Sequence, residues 1–383
     1  QLRAFRAELP KAPAIHASRS DAGSDEDMLQ ASLLLHMGHE QIAVKALGEQ
    51  TTESARRLHL NSLHDIMRAA LQQAGVEVPA GRDSMIRAAF STNSVSGILS
   101  NTANKISTDS YRAAPSVARV VARKLTANDF KDHTGYRLTA DATFDEVGNA
   151  GEIKHGSLGE SSFTFKVATH ARMFGLTRQD VINDDLGKFD EVPRLLGRGA
   201  AVKLEQLFWT LVLANTGDFF HADNSNLITD ALAIDGLSSA VETLRKLVDA
   251  NGDPISITPK FLVCPPELEA VADQLFASTN LIYGGDTAVP DSNPFKGKYQ
   301  PQVSPYLSNE NYPGYSATGW YLFGDPADVA AFGIAYLNGI ENPTIEQADA
   351  DFNTLGIQFR GYLDFGVCQI DKAGAVKSTG VGE

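Results

Sequence analysis

The stretch FDEVGNAGEIKHGSLGESSFTFKVATHARMFGLTRQDVINDD, Phe144 to Asp185, decides how the rest of the chain is read. From Ser161 to Val167 its residues alternate. Phe163, Phe165 and Val167 share one face and Thr164 and Lys166 the other, the two-residue period of a half-buried strand. Tyr136 to Val147 alternates enough for a second strand, and between the two lie Gly148, Gly151, Gly156 and Gly159. Glycines so spaced give a hairpin end the positive φ angles that other residues resist. The expectation is a long two-stranded projection with a glycine-rich tip, running directly into a helix. Such a projection is marginal in water by itself. One that carries Phe163, Phe165 and Val167 needs packing against something else, and a neighbouring subunit is a natural candidate.

The helix that follows is announced by Asp184, Asp185 and Asp190, which offer caps and charge suited to a helix N-terminus. Pro193 is expected in the first turn, where a missing N–H costs little. Val192, Leu196, Ala200, Leu204, Leu207 and Leu211 keep helical spacing as far as Asn215, so the element from Asp190 would have about 26 residues and run roughly 39 Å.

Upstream, SRSDAGSDED (Ser18 to Asp27) is polar enough for an arm. Between Thr52 and Ala74 the residues Leu63, Ile66, Met67, Ala70 and Leu71 fall on one helical face, and Gly75 supplies the stop. A short helix over Asp83 to Phe90 leads to STNSVSGILSNTANKI (Ser91 to Ile106), whose part from Ser91 to Asn104 reads either as a loop, an ordinary polar connector, or as a short capped helix from Ser94 packed on a neighbour, the favoured reading. Downstream, a helix from Ser238 to Val248, a strand from Lys260 to Cys264 and a helix opened by Pro265 and Pro266 make an α/β or α+β unit. Residues 278–318, rich in Pro, Gly, Asn, Ser and Tyr, read as a long structureless loop, which is usually an interaction surface. Trp320 to Phe332 and Ile357 to Ile370 return to strand character.

The chain has 383 residues, 43% hydrophobic and 21% charged, enough for two or three domains with a sizeable core. There is no apolar run of membrane-spanning length and no secretory signal pattern, so manufacture and use in the cytoplasm are expected. Cys264 and Cys368 are isolated thiols without CxxC spacing, expected as buried small hydrophobes and not as a disulfide or zinc pair. Residues 1–140 hold 17 Lys/Arg against 14 Asp/Glu, and residues 141–383 hold 16 against 33. That balance argues against a simple nucleic-acid binder. The first residue, Gln1, is consistent with N-terminal trimming.

Enzyme patterns fail one by one. His36, His39 and Glu40 form HxxHE, which is neither HExxH nor HxxEH. Asp249, Asn251 and Asp253 begin like a calcium loop, but Pro254 stands where Gly is needed and Lys260 where the bidentate Glu belongs. No GxSxG elbow occurs, and the glycines of the hairpin tip match no phosphate-binding motif. No catalytic, cofactor-binding or metal-binding residue is assigned, and the chain is expected not to be an enzyme.

Four segments carry a resemblance: SVSGILSNTANKI, EVGNAGEIKHGS, LTRQDVINDDLG and FRGYLDFGVCQIDKAGAVKS. Together, over about residues 85–375, the chain resembles phage major capsid (major head) proteins of the phage Mu type, within the Hong Kong 97-like capsid fold. The resemblance implies an α+β protein with an N-terminal arm and helical extension at 1–135 and an extended β-hairpin loop at 136–168. It further implies a peripheral domain with a long spine helix at 169–225, an axial domain at 226–333, and a return to the peripheral domain at 334–383. It implies self-assembly into hexamers and pentamers of an icosahedral shell around double-stranded DNA bound without sequence specificity. Scaffold or maturation protease, portal and decoration proteins would be partners, and no membrane or cofactor is involved. The loop residues Phe144, Gly148, Gly151, Lys154, Gly156, Gly159, Phe163 and Phe165 would make the inter-subunit contact. Some relatives crosslink a loop lysine to a neighbour's asparagine. Here Lys154 and Asn338, Asn342 or Asn353 are the candidates, and no crosslink is expected. The competing readings are a nanocompartment shell of the same fold, a scaffold or tail component, and a cytoplasmic hydrolase or transferase using 278–318 as a lid.

Overall fold

The structure is a computed structural model that describes residues 24–58, 60, 62–81, 84–85, 88, 93–140, 158–177, 186–248, 252, 254–281, 291–349 and 356–380. Two compact units emerge, one of residues 1–110, 172–197 and 344–361, the other of residues 111–171, 198–343 and 362–383. Helix and strand are mixed, as the α+β reading expects. No helix among the described residues is long and apolar enough to cross a membrane.

In the first unit, helices α1 (Asp25–His36), α2 (Glu40–Leu47), α3 (Glu49–Arg57) and α4 (Leu63–Gln73) precede the longer α5 (Asn93–Ala113). Asp25 to Asp27, expected in a polar arm, are instead the first turn of α1. Ser24 Oγ accepts from Asp27 N at 3.2 Å while Asp27 Oδ2 accepts from Ser24 N at 3.1 Å, so acids and cap together stabilise the helix start. The single helix expected over Thr52 to Ala74 is two, because Ser62 starts α4 by accepting from Asp65 N at 3.1 Å. The apolar face survives: Ile66, Met67, Ala70 and Leu71 are buried, and Gly75 ends the helix at φ +71°. They pack with Leu29 and Leu33 of α1, Ile98, Leu99 and Ala103 of α5, and Phe189 and Phe359, whose rings meet edge-on at 5.4 Å. Of the short helix expected at Asp83 to Phe90, only 84–85 and 88 are described.

The short helix expected from Ser94 is a 21-residue helix, α5. Ile98, Leu99, Thr102, Ala103 and Ile106 recur at helical spacing and are buried, and that stripe outweighs the turn-forming composition around it. The polar residues have a different use. Asn104 Nδ2 donates to Ile345 O at 2.8 Å, Asn104 Oδ1 accepts from Ile345 N at 2.5 Å, and Ser100 Oγ donates to the same carbonyl at 3.1 Å. A helix side chain thereby satisfies both backbone groups of one residue in β12 (Thr344–Asp349).

Helix α6 is a single turn (Ala118–Val121), and α7 (Leu186–Ala214) is the long element, 29 residues where about 26 are expected from its apolar spacing. It starts four residues before Asp190, which corrects two expectations. Asp190 is not a cap; it pairs with Arg194 one turn on, at 2.5 Å, and with His39 Nε2, at 2.5 Å. Pro193 lies inside the helix and withholds the N–H that Phe189 O would accept. Gly197 is required by packing, since a Cβ there would sit 2.2 Å from Ser107 O of α5. Asp184 and Asp185 lie outside the described residues.

The second unit is built on the sheet β5-β14-β10-β6-β9, with β5 at Leu227–Ile228, β6 at Pro259–Cys264, β9 at Gln300–Val303, β10 at Trp320–Gly324 and β14 at Ala375–Ser378. Its central strands β14, β10 and β6 are largely buried on both faces, and their side chains divide between the faces with a two-residue period. Phe261, Val263, Tyr321, Phe323 and Ala375 join a core with Leu204, Phe208 and Trp209 of α7, whereas Leu262, Cys264, Trp320, Leu322 and Val376 join one with helices α8 (Ile234–Arg245) and α9 (Glu269–Ala277). Continuous apolar runs such as FLVC and WYLF reflect that double burial. In a further sheet β1 (Arg123–Ala127) runs parallel to β11 (Phe332–Leu337), β11 runs antiparallel to β13 (Gly356–Gln369), and β4 (Ala168–Thr177) and β12 also pair with β13.

Residues 278–318 are not structureless. They hold β7 (Asn280–Leu281), β8 (Asp291–Ser292) and β9, and they bury Phe295, Tyr299 and Leu307. Asn293 ties the segment down: Nδ2 donates to Leu275 O at 2.7 Å and Ser278 O at 2.8 Å, and Oδ1 accepts from Phe295 N at 2.9 Å. Residues 282–290 lie outside the described set.

Candidate assembly site

Strands β2 (His133–Ala140) and β3 (Leu158–Phe165) form a two-stranded antiparallel sheet, paired from His133 opposite Phe165 to Ala140 opposite Leu158. The first strand begins three residues earlier than Tyr136. Of the loop residues singled out from the sequence, Phe144, Gly148, Gly151, Lys154 and Gly156 lie outside the described residues. Gly159 pairs with Thr139, Phe163 with Gly135, and Phe165 with His133.

Phe163 and Phe165 share a face, as their alternation requires, with ring centroids 6.0 Å apart. The His133 ring stacks on Phe165 at 5.3 Å and 17°. Phe163 lies across Gly135, where a Cβ would come 2.3 Å from the ring; glycine is the residue that lets an aromatic cover the opposite strand. Phe165 also packs on the small cluster of Ala127, Val167 and Ala335 at the root of the hairpin. Tyr136 remains 65% exposed. Beside these rings opens a cavity of about 520 Å³, with Arg123, Leu125, Tyr136, Phe163, Phe165 and Ile370 among its walls. Around the root, His133 lies 3.0 Å from Asp129 and Lys166 lies 3.2 Å from Asp132. The arrangement presents half-buried aromatic rings beside paired charges at the root of the hairpin.

The other sequence candidates are distributed elsewhere. Of the asparagines, Asn342 Oδ1 accepts from Arg112 Nε at 3.3 Å and Asn338 holds a turn at φ +52°, its N–H donating to Ala127 O at 2.7 Å; Asn353 lies outside the described residues. His39 contacts Asp190 and Arg194, and among the described residues no group of three or more His, Cys, Asp or Glu is placed to hold a metal ion. Asp249, Asn251 and Asp253 lie outside them. Cys264 and Cys368 are buried as expected. Burial, with Glu269 and Asp273 adding to it, pushes the Cys264 thiol up to about 12; burial pushes Cys368 to about 12 against the Gly333 carbonyl contact.

Sequence reading missed Gly135 and Glu205. Gly135 becomes legible only when β2 is set against β3 in register. Glu205, on the apolar run of α7, is 5% exposed and accepts from Ser116 Oγ at 2.5 Å, Ala118 N at 2.9 Å and Trp209 Nε1 at 2.8 Å. Three donors keep a buried carboxylate satisfied.

Residues 160–378 match the family model described as phage capsid protein. A search of curated proteins found none that matches. Among solved structures, the chain is similar to the capsid of cyanophage P-SCSP1u, at 12% identity over 69% of this chain and 88% of that one, with a TM-score of 0.44. A structure from Mycobacterium phage Adephagia gives 13%, 70%, 90% and 0.45 by the same measures, and the procapsid of bacteriophage JBD30 gives 15%, 75%, 76% and 0.38. The family match runs from within β3 to the end of β14, more than half of the sequence, and the chain therefore belongs to the phage capsid protein family.

Proposed function

We infer that this capsid subunit is the major head protein, closing its shell by laying the β2·β3 hairpin over an adjoining copy. The observation that carries the reading is the hairpin itself: among the described residues its strands bond only to each other, yet they display Phe163, Phe165 and the exposed Tyr136. A two-stranded ribbon of this kind gains stability from a covering surface. In the proposed Hong Kong 97-like scheme, of the Mu-type subgroup, 136–168 is the extended loop, α7 is the spine within 169–225, 226–333 is the axial domain and 334–383 returns to the peripheral domain. The segment 278–318 then faces the five-fold and six-fold axes, and the contact includes Phe144, Gly148, Gly151, Lys154, Gly156 and Gly159. The role is structural, without turnover. Assembly takes place in the bacterial host cytoplasm with scaffold or protease and portal, around double-stranded DNA bound without sequence preference; the excess of acidic residues in 141–383 suits a shell that does not adhere to its contents.

Electron microscopy of the purified full chain tests this. Closed polyhedral shells or sheets of hexamers are expected, and deletion of Gly148 to Gly159 should leave a folded subunit that forms neither. A uniform small oligomer across salt and concentration, even with the phage scaffold present, overturns the reading, and normal shells from the deletion overturn the role of the hairpin.

A further inference from the structure

Within the second unit a cavity of about 210 Å³ is lined by Leu213, Leu307, Ser316, Tyr321, Lys377 and Thr379, among others. Lys377 is on β14, opposite Tyr321 in the β10·β14 ladder, and its Nζ lies 5.7 Å from the Tyr321 ring centroid. The side chain is half-buried, and among the described residues its ammonium has no carboxylate, amide or carbonyl partner. Burial alone holds its pKa below the ordinary 10.5; no neighbouring acid acts to restore it. Elsewhere the cations Lys124, Lys246 and Lys260 each meet a carboxylate, Glu341, Glu242 and Asp325 respectively. A partly desolvated charge facing an aromatic ring and a void, with no counter-ion, is an incomplete arrangement.

We propose that this cavity is an anion site whose ligand is a carboxylate on a short apolar stem, the carboxylate at Lys377 and the stem against Leu213, Leu307 and Tyr321. One cation on a largely apolar wall suits a monocarboxylate better than a phosphate, which draws on several donors. The volume is below the roughly 300 Å³ at which pockets for whole ligands begin, so the group admitted is the size of a side chain or a short-chain acid. Two sources supply that chemistry: a free short-chain acid, or an Asp or Glu of an adjoining copy, the latter resting on the shell reading above.

The test uses the full chain and sodium butyrate as probe. Dispersed subunits are acetylated with an N-hydroxysuccinimide ester, and mass spectrometry compares Lys377 with the exposed Lys45 and Lys131. Saturating butyrate should slow Lys377 about fivefold or more relative to the reference lysines, and sodium chloride at equal ionic strength should not. Butyrate should also raise the melting temperature of the wild type and leave Lys377→Met, which keeps the stem and loses the charge, unmoved. Labelling unchanged by butyrate, an equal effect of chloride, or equal responses of wild type and Lys377→Met overturns the proposal. Assembled shells identify the source: protection without additive assigns the carboxylate to an adjoining copy, and protection only with butyrate assigns it to a free acid. The butyrate result on subunits stands apart from whether shells form.

Discussion

The aromatic core of the second unit and the β2·β3 hairpin are both strands bearing phenylalanines, and they use them differently. In the core, Phe332 is surrounded by Phe208, Phe219, Phe220 and Phe323 at centroid distances of 4.8 to 6.2 Å, in edge-on or tilted pairs. Every one of these rings is at most 2% exposed, and nearby Asn226, with no exposed surface, is engaged at both ends of its amide: it donates to Phe219 O and Lys372 O, both at 2.9 Å, and accepts from His221 N at 3.0 Å. On the hairpin, Phe163 and Phe165 are half-buried and their nearest aromatic partners are each other and His133. The same residue type holds the subunit together in one place and is left available in the other; what differs is the number of elements that converge on it.

If that contrast is right, the two regions respond oppositely to substitution. Phe332→Ala should cost about 3–5 kcal/mol of subunit stability, the transfer term plus a cavity that the four remaining packed rings cannot close. Urea unfolding of the dispersed full chain measures it, and a loss under about 1 kcal/mol would mean the core relaxes freely, contrary to its packing. Gly135→Val should shift the same unfolding curve by less than about 1 kcal/mol, since the Phe163 ring it displaces is half solvated and can swing aside. Its effect belongs to assembly: with the ring lifted off β2, shell yield by sedimentation should fall. A Gly135→Val subunit as destabilised as Phe332→Ala would make the hairpin part of the folding core and erase the distinction.

The hairpin was the more legible of the two in sequence because a half-buried strand alternates, and alternation is visible in one chain without knowing its neighbours. The β6 and β10 runs carry no such signal, being apolar on both faces; only the fold reveals that Phe261 and Leu262 serve different cores. Charged residues misled most. Asp190 has the composition of a cap, but its partner His39 is 151 positions away, and no local pattern encodes that contact. Asn104 and Ser100 look like loop residues for the same reason, their partner Ile345 being remote. For the proposed sites, the shared face of Phe163 and Phe165 was readable from period alone, while Gly135 needs the register and Lys377 needs the cavity.

Between the two regimes lies His170 on β4, whose ring is 4.6 Å from Phe365 of the core and which is itself only half-buried. Burial first, and Lys203 second, lower its pKa from the ordinary 6.5, with Asp364 opposing them in part. The folded state therefore binds this proton less readily than the unfolded chain. Above the ordinary value the residue is neutral in both states and costs nothing; as pH falls through about 6.5 the unfolded state takes up the proton first, and stability declines until the folded pKa is passed. His170→Leu should remove that decline, so its stability measured against pH should be flatter than wild type below about pH 6.5 and parallel to it above. The effect should be the smallest of the three, because solvent reaches the ring and screens the charge. Parallel curves throughout would mean that Phe365 presents His170 with a surface as wet as that on the hairpin, and that the core ends one strand earlier than its packing implies.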